Sequence, residues 1–129
     1  MKGLSFWIKN ARSTSLMQSV MPAIVAVVLA ADAFDFSLWA AVTSVLGVVA
    51  AHLGMNLADD YFDYKVGTSE SRKHLVRQGF RARLVKYPYL TDGSASVRDL
   101  KLAIILFLAF AAVLGGCIIA FRSWYVIPI

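Results

Sequence analysis

Asp59, Asp60 and Asp63 place three carboxylates within five residues, directly after a long apolar run. Continued as a helix through Asp63, the sequence brings His52, Asn56, Asp59 or Asp60, and Asp63 to spacings of three and four, so they share one face. The stripe starts inside the apolar run and ends at its boundary. Polar groups at such a depth are costly in hydrocarbon and turn toward a bundle interior or a wet cavity. Carboxylates held this close repel one another and need a cation or a shifted pKa. The pattern D-D-x-x-D offers hard oxygen ligands, which suit Mg²⁺; one or two carboxylates with phosphate oxygens of a substrate are its usual shell. A plainer reading of the same residues is an acidic helix end in water, neutralised by Lys65 and Arg72. Acidic residues at a helix C-terminus oppose the macrodipole, which counts against that reading. His52 taken alone reads as a packed or hydrogen-bonded histidine.

The elements that must hold this stripe are membrane spans. Of the 129 residues, 59% are hydrophobic and only 16% charged, and the mean hydropathy is +0.66, a membrane profile. Three spans follow, at about residues 16–34, 38–58 and 102–121, with a loop over residues 59–98. A helix rising about 1.5 Å per residue needs about 20 residues to cross the hydrocarbon core. The second and third spans meet this directly. The first is shorter and carries Pro22, which predicts a kink or a partly interfacial position. A cleaved signal peptide is the rival for the first span, but the long region before it, the early Pro22 and the following Asp32 and Asp35 argue against cleavage.

Charge sets the topology. Lys2, Lys9 and Arg12 precede the first span, and nine more basic residues lie between the second and third, so 12 of the 13 fall on one side. The connection between the first two spans has only Asp32 and Asp35. The positive-inside rule then places the N-terminus and the long loop in the cytoplasm. The net charge of +5 is therefore topological, and nucleic-acid binding is excluded as its explanation. Cys117, the single cysteine, gives no disulfide framework and reads as a small hydrophobe. Met17, Met21, Met55, Phe107, Phe110 and Phe121 read as lipid-facing or packing residues, and Trp124 and Tyr125 as an interfacial belt.

Within the loop, Gly67, Thr68 and Ser69 end the second helix. Residues 71–86 mix apolar and basic side chains and read as an amphipathic surface segment that Pro88 terminates. Thr91-Asp92-Gly93-Ser94 is a turn. Ser96 and Asp99 form an S-x-x-D start for the third span, a capping box with Asp in the place of Glu or Gln.

At N-L-A-D-D-Y-F-D-Y-K-V-G, residues 56–67, the chain resembles the UbiA superfamily of membrane prenyltransferases. The branch typified by 1,4-dihydroxy-2-naphthoate polyprenyltransferase of menaquinone synthesis, with N-L-x-N-D-Y-x-D-Y-x-x-G, is the nearest in pattern. Asp60 and Asp63 match the first two aspartates of the family motif, Asp59 stands where Asn is usual, and Gly67 stands where a third aspartate would be. The opening A-R-S-T-S-L-M-Q-S-V-M-P, residues 11–22, and Y-L-T-D-G-S-A-S, residues 89–96, resemble flanking family segments. The resemblance implies an all-α, polytopic membrane helix bundle. It implies transfer of a polyprenyl group from its diphosphate to an aromatic acceptor, with Mg²⁺ between carboxylates and diphosphate. On this pattern Asn56, Asp59, Asp60 and Asp63 are the metal ligands and Asp60 and Asp63 the catalytic pair. Arg72, Lys73, Arg77 and Lys86 are the diphosphate-binding candidates, Arg77 and Lys86 foremost; each also reads as a topology or lipid-headgroup charge.

The family has a second aspartate motif after its third helix, and no second cluster follows here. W-Y-V-I-P-I, residues 124–129, reads as the start of a fourth span. The expectation is that residues 1–129 are the N-terminal part of a nine-helix fold, inactive without the C-terminal helices of the same fold, in a bacterial inner membrane. The alternative is a small three-helix structural or interaction protein, or a gene remnant. A CDP-alcohol phosphatidyltransferase is excluded because Asp92-Gly93 is followed by S-A-S-V rather than x-x-A-R.

Overall fold

The computed structural model describes residues 2–67, 77–78 and 87–122. Among the described residues there are five named α-helices and one 3-10 turn, and no strand. Helix α1 is Leu4–Asn10, followed by the 3-10 turn Ser13–Ser15; α2 is Met17–Ala30, α3 Leu38–Val66, α4 Pro88–Thr91 and α5 Val97–Arg122. Three segments, Ser13–Ala30, Leu38–Val66 and Val97–Arg122, are long and apolar enough to cross a membrane. The chain is thus an all-helical protein with three candidate membrane spans.

Helix α3 is the centre: it packs against α5 along one side and α2 along another. Its 29 residues make a rod of about 43 Å, longer than a hydrocarbon core of about 30 Å. Asp59 lies about 32 Å along from Leu38, so the carboxylates fall where α3 leaves the apolar layer. The helix starts on Ser37, whose side chain accepts from the Ala40 N–H at 3.3 Å. It stops at Gly67, whose φ of 71° supplies the left-handed turn that glycine adopts without penalty. Close packing against α5 depends on Gly54. A Cβ there would come within 2.8 Å of the Leu108 side chain and 3.2 Å of Phe107 Cβ.

The capping box at the start of α5 forms as its residues predict. The Asp99 N–H donates to Ser96 Oγ at 3.1 Å, and the Ser96 N–H and hydroxyl donate to Asp99 Oδ2 at 3.3 and 2.8 Å. The helix therefore begins at Val97, ahead of the apolar run at Leu102. The turn before it is held by the Ser94 N–H donating to Asp92 Oδ1 at 2.7 Å, with Gly93 at φ 75°. Pro22 is accommodated inside α2. Pro88, read from sequence as the end of the 71–86 segment, opens α4, where its missing N–H is not needed. The amphipathic reading of residues 71–86, and Trp124 and Tyr125, lie outside the described residues, as does the expected start of a fourth span.

At the end away from the carboxylates, Arg122 closes the bundle. Its guanidinium pairs with Asp35 Oδ2 at 2.9 Å and donates to the Asp35 carbonyl at 2.6 Å. At the carboxylate end α1 folds back onto the bundle. Trp7, Leu53, Leu57, Tyr87, Tyr89, Leu100 and Ala103 form one buried cluster, with Phe6, Trp7 and Tyr89 in edge-to-face contact. Most other large apolar side chains, including Met17, Met21, Met55, Phe110 and Phe121, point outward, the arrangement expected of helices solvated by lipid. Phe107 differs: it packs against the buried cluster.

Candidate functional site

The inner part of the polar stripe of α3, His52 and Asn56, meets residues 11–19, which carry the chain from α1 into α2. His52 lies deepest. Its ring nitrogens both contact hydroxyls, Nε2 with Ser15 Oγ at 3.0 Å and Nδ1 with Ser19 Oγ at 2.8 Å. A neutral ring has one donor and one acceptor, and two hydroxyls satisfy both. One turn on, Asn56 Nδ2 donates to the Ala11 carbonyl at 2.8 Å and to Ser15 Oγ at 3.2 Å. Ser15 Oγ donates in turn to the Arg12 carbonyl at 2.8 Å.

Asp60 follows another turn on and is buried, with 1% of its surface exposed. A charge in that position requires a partner. Arg12 supplies it: the guanidinium is ion-paired with Asp60 Oδ1 and reaches Asp59 Oδ2 at 3.3 Å. The Tyr89 hydroxyl donates to the other oxygen, Asp60 Oδ2, at 2.9 Å. Arg12 adopts φ 55°, the one left-handed non-glycine residue among those described. That conformation costs about 1–2 kcal/mol. It turns the backbone between α1 and the 3-10 turn and coincides with the placement of the guanidinium on the carboxylates.

The electrostatics are mutual. Burial works against the charge of Arg12, but its hydrogen bond to Asp60 and the charges of Asp60 and then Asp59 outweigh this and raise its pKa. Tyr89 is pushed far up, first by burial, then by the neighbouring charge of Asp60 and by donating to it. Its phenol stays protonated throughout the neutral range.

Of the predicted metal ligands, Asp59 and Asp60 come together on the Arg12 guanidinium, while Asn56, a turn deeper, binds the Ala11 carbonyl and Ser15. Asp59 is the accessible one, with its side chain half exposed. Asp63 lies a turn beyond, half-buried, and its backbone carbonyl accepts from the Tyr87 hydroxyl at 3.3 Å. Hard carboxylate and amide oxygens at helical spacing suit Mg²⁺ by donor type. Among the described residues no three of the His, Cys, Asp and Glu side chains converge as a metal-holding group. Among the described residues, Arg12 brings positive charge beside Asp59 and Asp60. Of the diphosphate candidates, Arg77 is exposed; Arg72, Lys73 and Lys86 lie outside the described residues.

Two participants, Arg12 and Tyr89, carried no individual site signal in the sequence. Arg12 counts there as one topology charge and as part of the 11–22 segment, while Lys65 and Arg72 stand nearer the carboxylates in sequence. Tyr89 is 29 residues from Asp60, and only the fold brings it close. Ser15 and Ser19 do leave a trace: they repeat at i, i+4, as do His52 and Asn56, the pattern of two facing helical segments.

Comparison with known proteins gives no match: no family model fits the chain, and neither a curated protein nor a solved structure matches it.

Proposed function

We propose that this chain contributes the first carboxylate face of a membrane prenyltransferase site, acting on a polyprenyl diphosphate and an aromatic quinone precursor, 1,4-dihydroxy-2-naphthoate by the flavour of its motif. The observation that carries the reading is the gathering of Asn56, Asp59, Asp60 and the Arg12 cation at one end of an apolar helix bundle. The residue pattern resembles that of the UbiA superfamily. Asn56, Asp59, Asp60 and Asp63 would hold Mg²⁺, which supplies charge to a departing diphosphate. Tyr89 and Arg12 hold Asp60 in place. Asp59 presents oxygen to the water-facing end. Arg12 also sits where a diphosphate would bring its charge, and Arg72, Lys73, Arg77 and Lys86 would add cations from the loop over residues 59–98. The full site in this reading belongs to a nine-helix bundle, of which the chain is the front part. It lies in a bacterial inner membrane with the carboxylate end cytoplasmic.

A second reading is favoured by one specific observation. Asp60 is buried with both oxygens engaged, and His52 and Asn56 are also satisfied within the chain. Such a stripe works as a polar fastener between the entry of α2 and α3 in a structural membrane protein. Retention of a radiolabelled polyprenyl diphosphate by the purified chain, with Mg²⁺ and with chelator, separates the two. Mg²⁺-dependent retention, weak because one carboxylate face acts alone, is the expected result. Retention that is absent, or equal in chelator, supports the fastener. The chain on its own is expected to show no prenyl transfer.

A further inference from the structure

An apolar groove of about 580 Å³ is lined by residues of α1, α3 and α5, and its α3 residues Leu46, Val49, Ala50 and Leu53 lie toward the middle of the helix from the carboxylates. Ala50 and Ala103, both buried, leave room at its floor, and Leu53, Leu46 and Phe110 line its length. Leu53 to Leu46 on α3, and Ala103 to Phe110 on α5, each span about 10 Å toward the bilayer centre. At the mouth stands Lys2, the one charged side chain among the described lining residues. The space has the dimensions of a small-ligand site, is open to the side, and pairs a hydrocarbon-like interior with one cation at the membrane surface. Basic pockets between membrane helices hold anionic lipid headgroups, and one Lys near the surface contributes about 1 kcal/mol.

We infer that this groove seats one acyl chain of an anionic phospholipid whose phosphate lies at Lys2. The occupant is identified by charge: a zwitterionic lipid has the same tail but gains little at the Lys2 ammonium, which stands 5.7 Å from the Phe6 ring centre and in the field of Asp92. Trp7 lines the groove and reports on it. With Trp39→Phe and Trp124→Phe, Trp7 is the sole tryptophan. The full chain is reconstituted in phosphatidylcholine vesicles doped with a low, fixed fraction of phosphatidylglycerol carrying a brominated chain, or with brominated phosphatidylcholine at the same fraction. Trp7 quenching should report about fivefold local enrichment of the anionic lipid. Lys2→Glu should abolish the preference. Val49→Phe, which fills the groove without altering charge, should lower quenching by phosphatidylglycerol to the phosphatidylcholine level while the helical circular-dichroism signal is kept. Equal quenching by the two lipids overturns the proposal. A preference untouched by Val49→Phe also overturns it, since that is general attraction to the basic end of the bundle. Should Val49→Phe fail to fold, Lys2→Glu together with competition by unbrominated phosphatidylglycerol decides: quenching that neither reduces refutes a saturable lipid site.

Discussion

Asp59 and Asp60 are neighbours in sequence with opposite surroundings, and their replacement should differ accordingly. Asp60→Ala leaves Arg12 without its buried partner. Breaking a buried pair typically costs about 3–5 kcal/mol; because Arg12 keeps 28% of its side chain exposed, about 2–3 kcal/mol is expected, read by equilibrium unfolding in mixed micelles. Asp59→Ala should stay within about 1 kcal/mol of the parent. Arg12 carries backbone strain as well as charge. Arg12→Gly should therefore be about 1 kcal/mol less destabilising than Arg12→Ala, since both lose the ion pair and only glycine relieves φ 55°. Tyr89 predicts a pH dependence. Its folded pKa lies above the ordinary tyrosine value, so the folded state keeps a proton that the unfolded state gives up. The stabilisation is whole below about pH 10 and falls as pH rises beyond it. Tyr89→Phe should remove that part of the alkaline slope; an unchanged slope would mean that Tyr89 does not carry it.

At the scale of elements, two local devices set α5. Ser96→Ala removes a cap whose geometry is reciprocal and should cost about 1 kcal/mol, seen as fraying of the first turn by hydrogen exchange. Gly54→Val should cost about 1–3 kcal/mol by overpacking against Leu108 and Phe107. These two sites also show what a sequence can disclose. The Ser96–Asp99 cap is a local pattern, and its residues fix its geometry. The need for glycine at position 54 arises from α5, some fifty residues away, and no local pattern encodes it. The same contrast divides the polar site. The stripe of His52, Asn56, Asp60 and Asp63 is legible because one helix supplies its spacing. Its partners Arg12, Ser15, Ser19 and Tyr89 become partners only when α1, α2 and α4 fold onto α3.

For the whole molecule, the three apolar helices and their order were readable because hydrocarbon admits few alternatives to a helix. Placement of α1 was not: seven residues with mixed polarity carry too weak a period to say that Trp7 turns into the core. The charge pattern predicts that residue 2 and the Asp59–Asp63 turn label from one side of a sealed vesicle and that Asp35 and Arg122 face the other. Introduced cysteines probed with an impermeant maleimide, in a Cys117→Ala background, check this. The two ends differ in chemistry as well as side. Among the described residues, one end has the ion pair between Arg122 and Asp35, and the other collects the carboxylates, Arg12 and the tyrosines.

The central claim is that the carboxylate stripe is a metal and diphosphate face rather than only a fastener. Mn²⁺, a paramagnetic stand-in for Mg²⁺, tests it most directly. Free Mn²⁺ is followed by electron paramagnetic resonance as purified chain is added with and without a short-chain polyprenyl diphosphate, in the parent and in Asp63→Asn and Asp59→Asn variants that leave the Arg12–Asp60 pair intact. The account predicts loss of free Mn²⁺ signal beyond that caused by the diphosphate alone, and recovery of that signal in both variants. A signal set by the diphosphate alone, identical with the parent chain and the variants, would contradict it and leave the stripe as the polar fastener between α2 and α3.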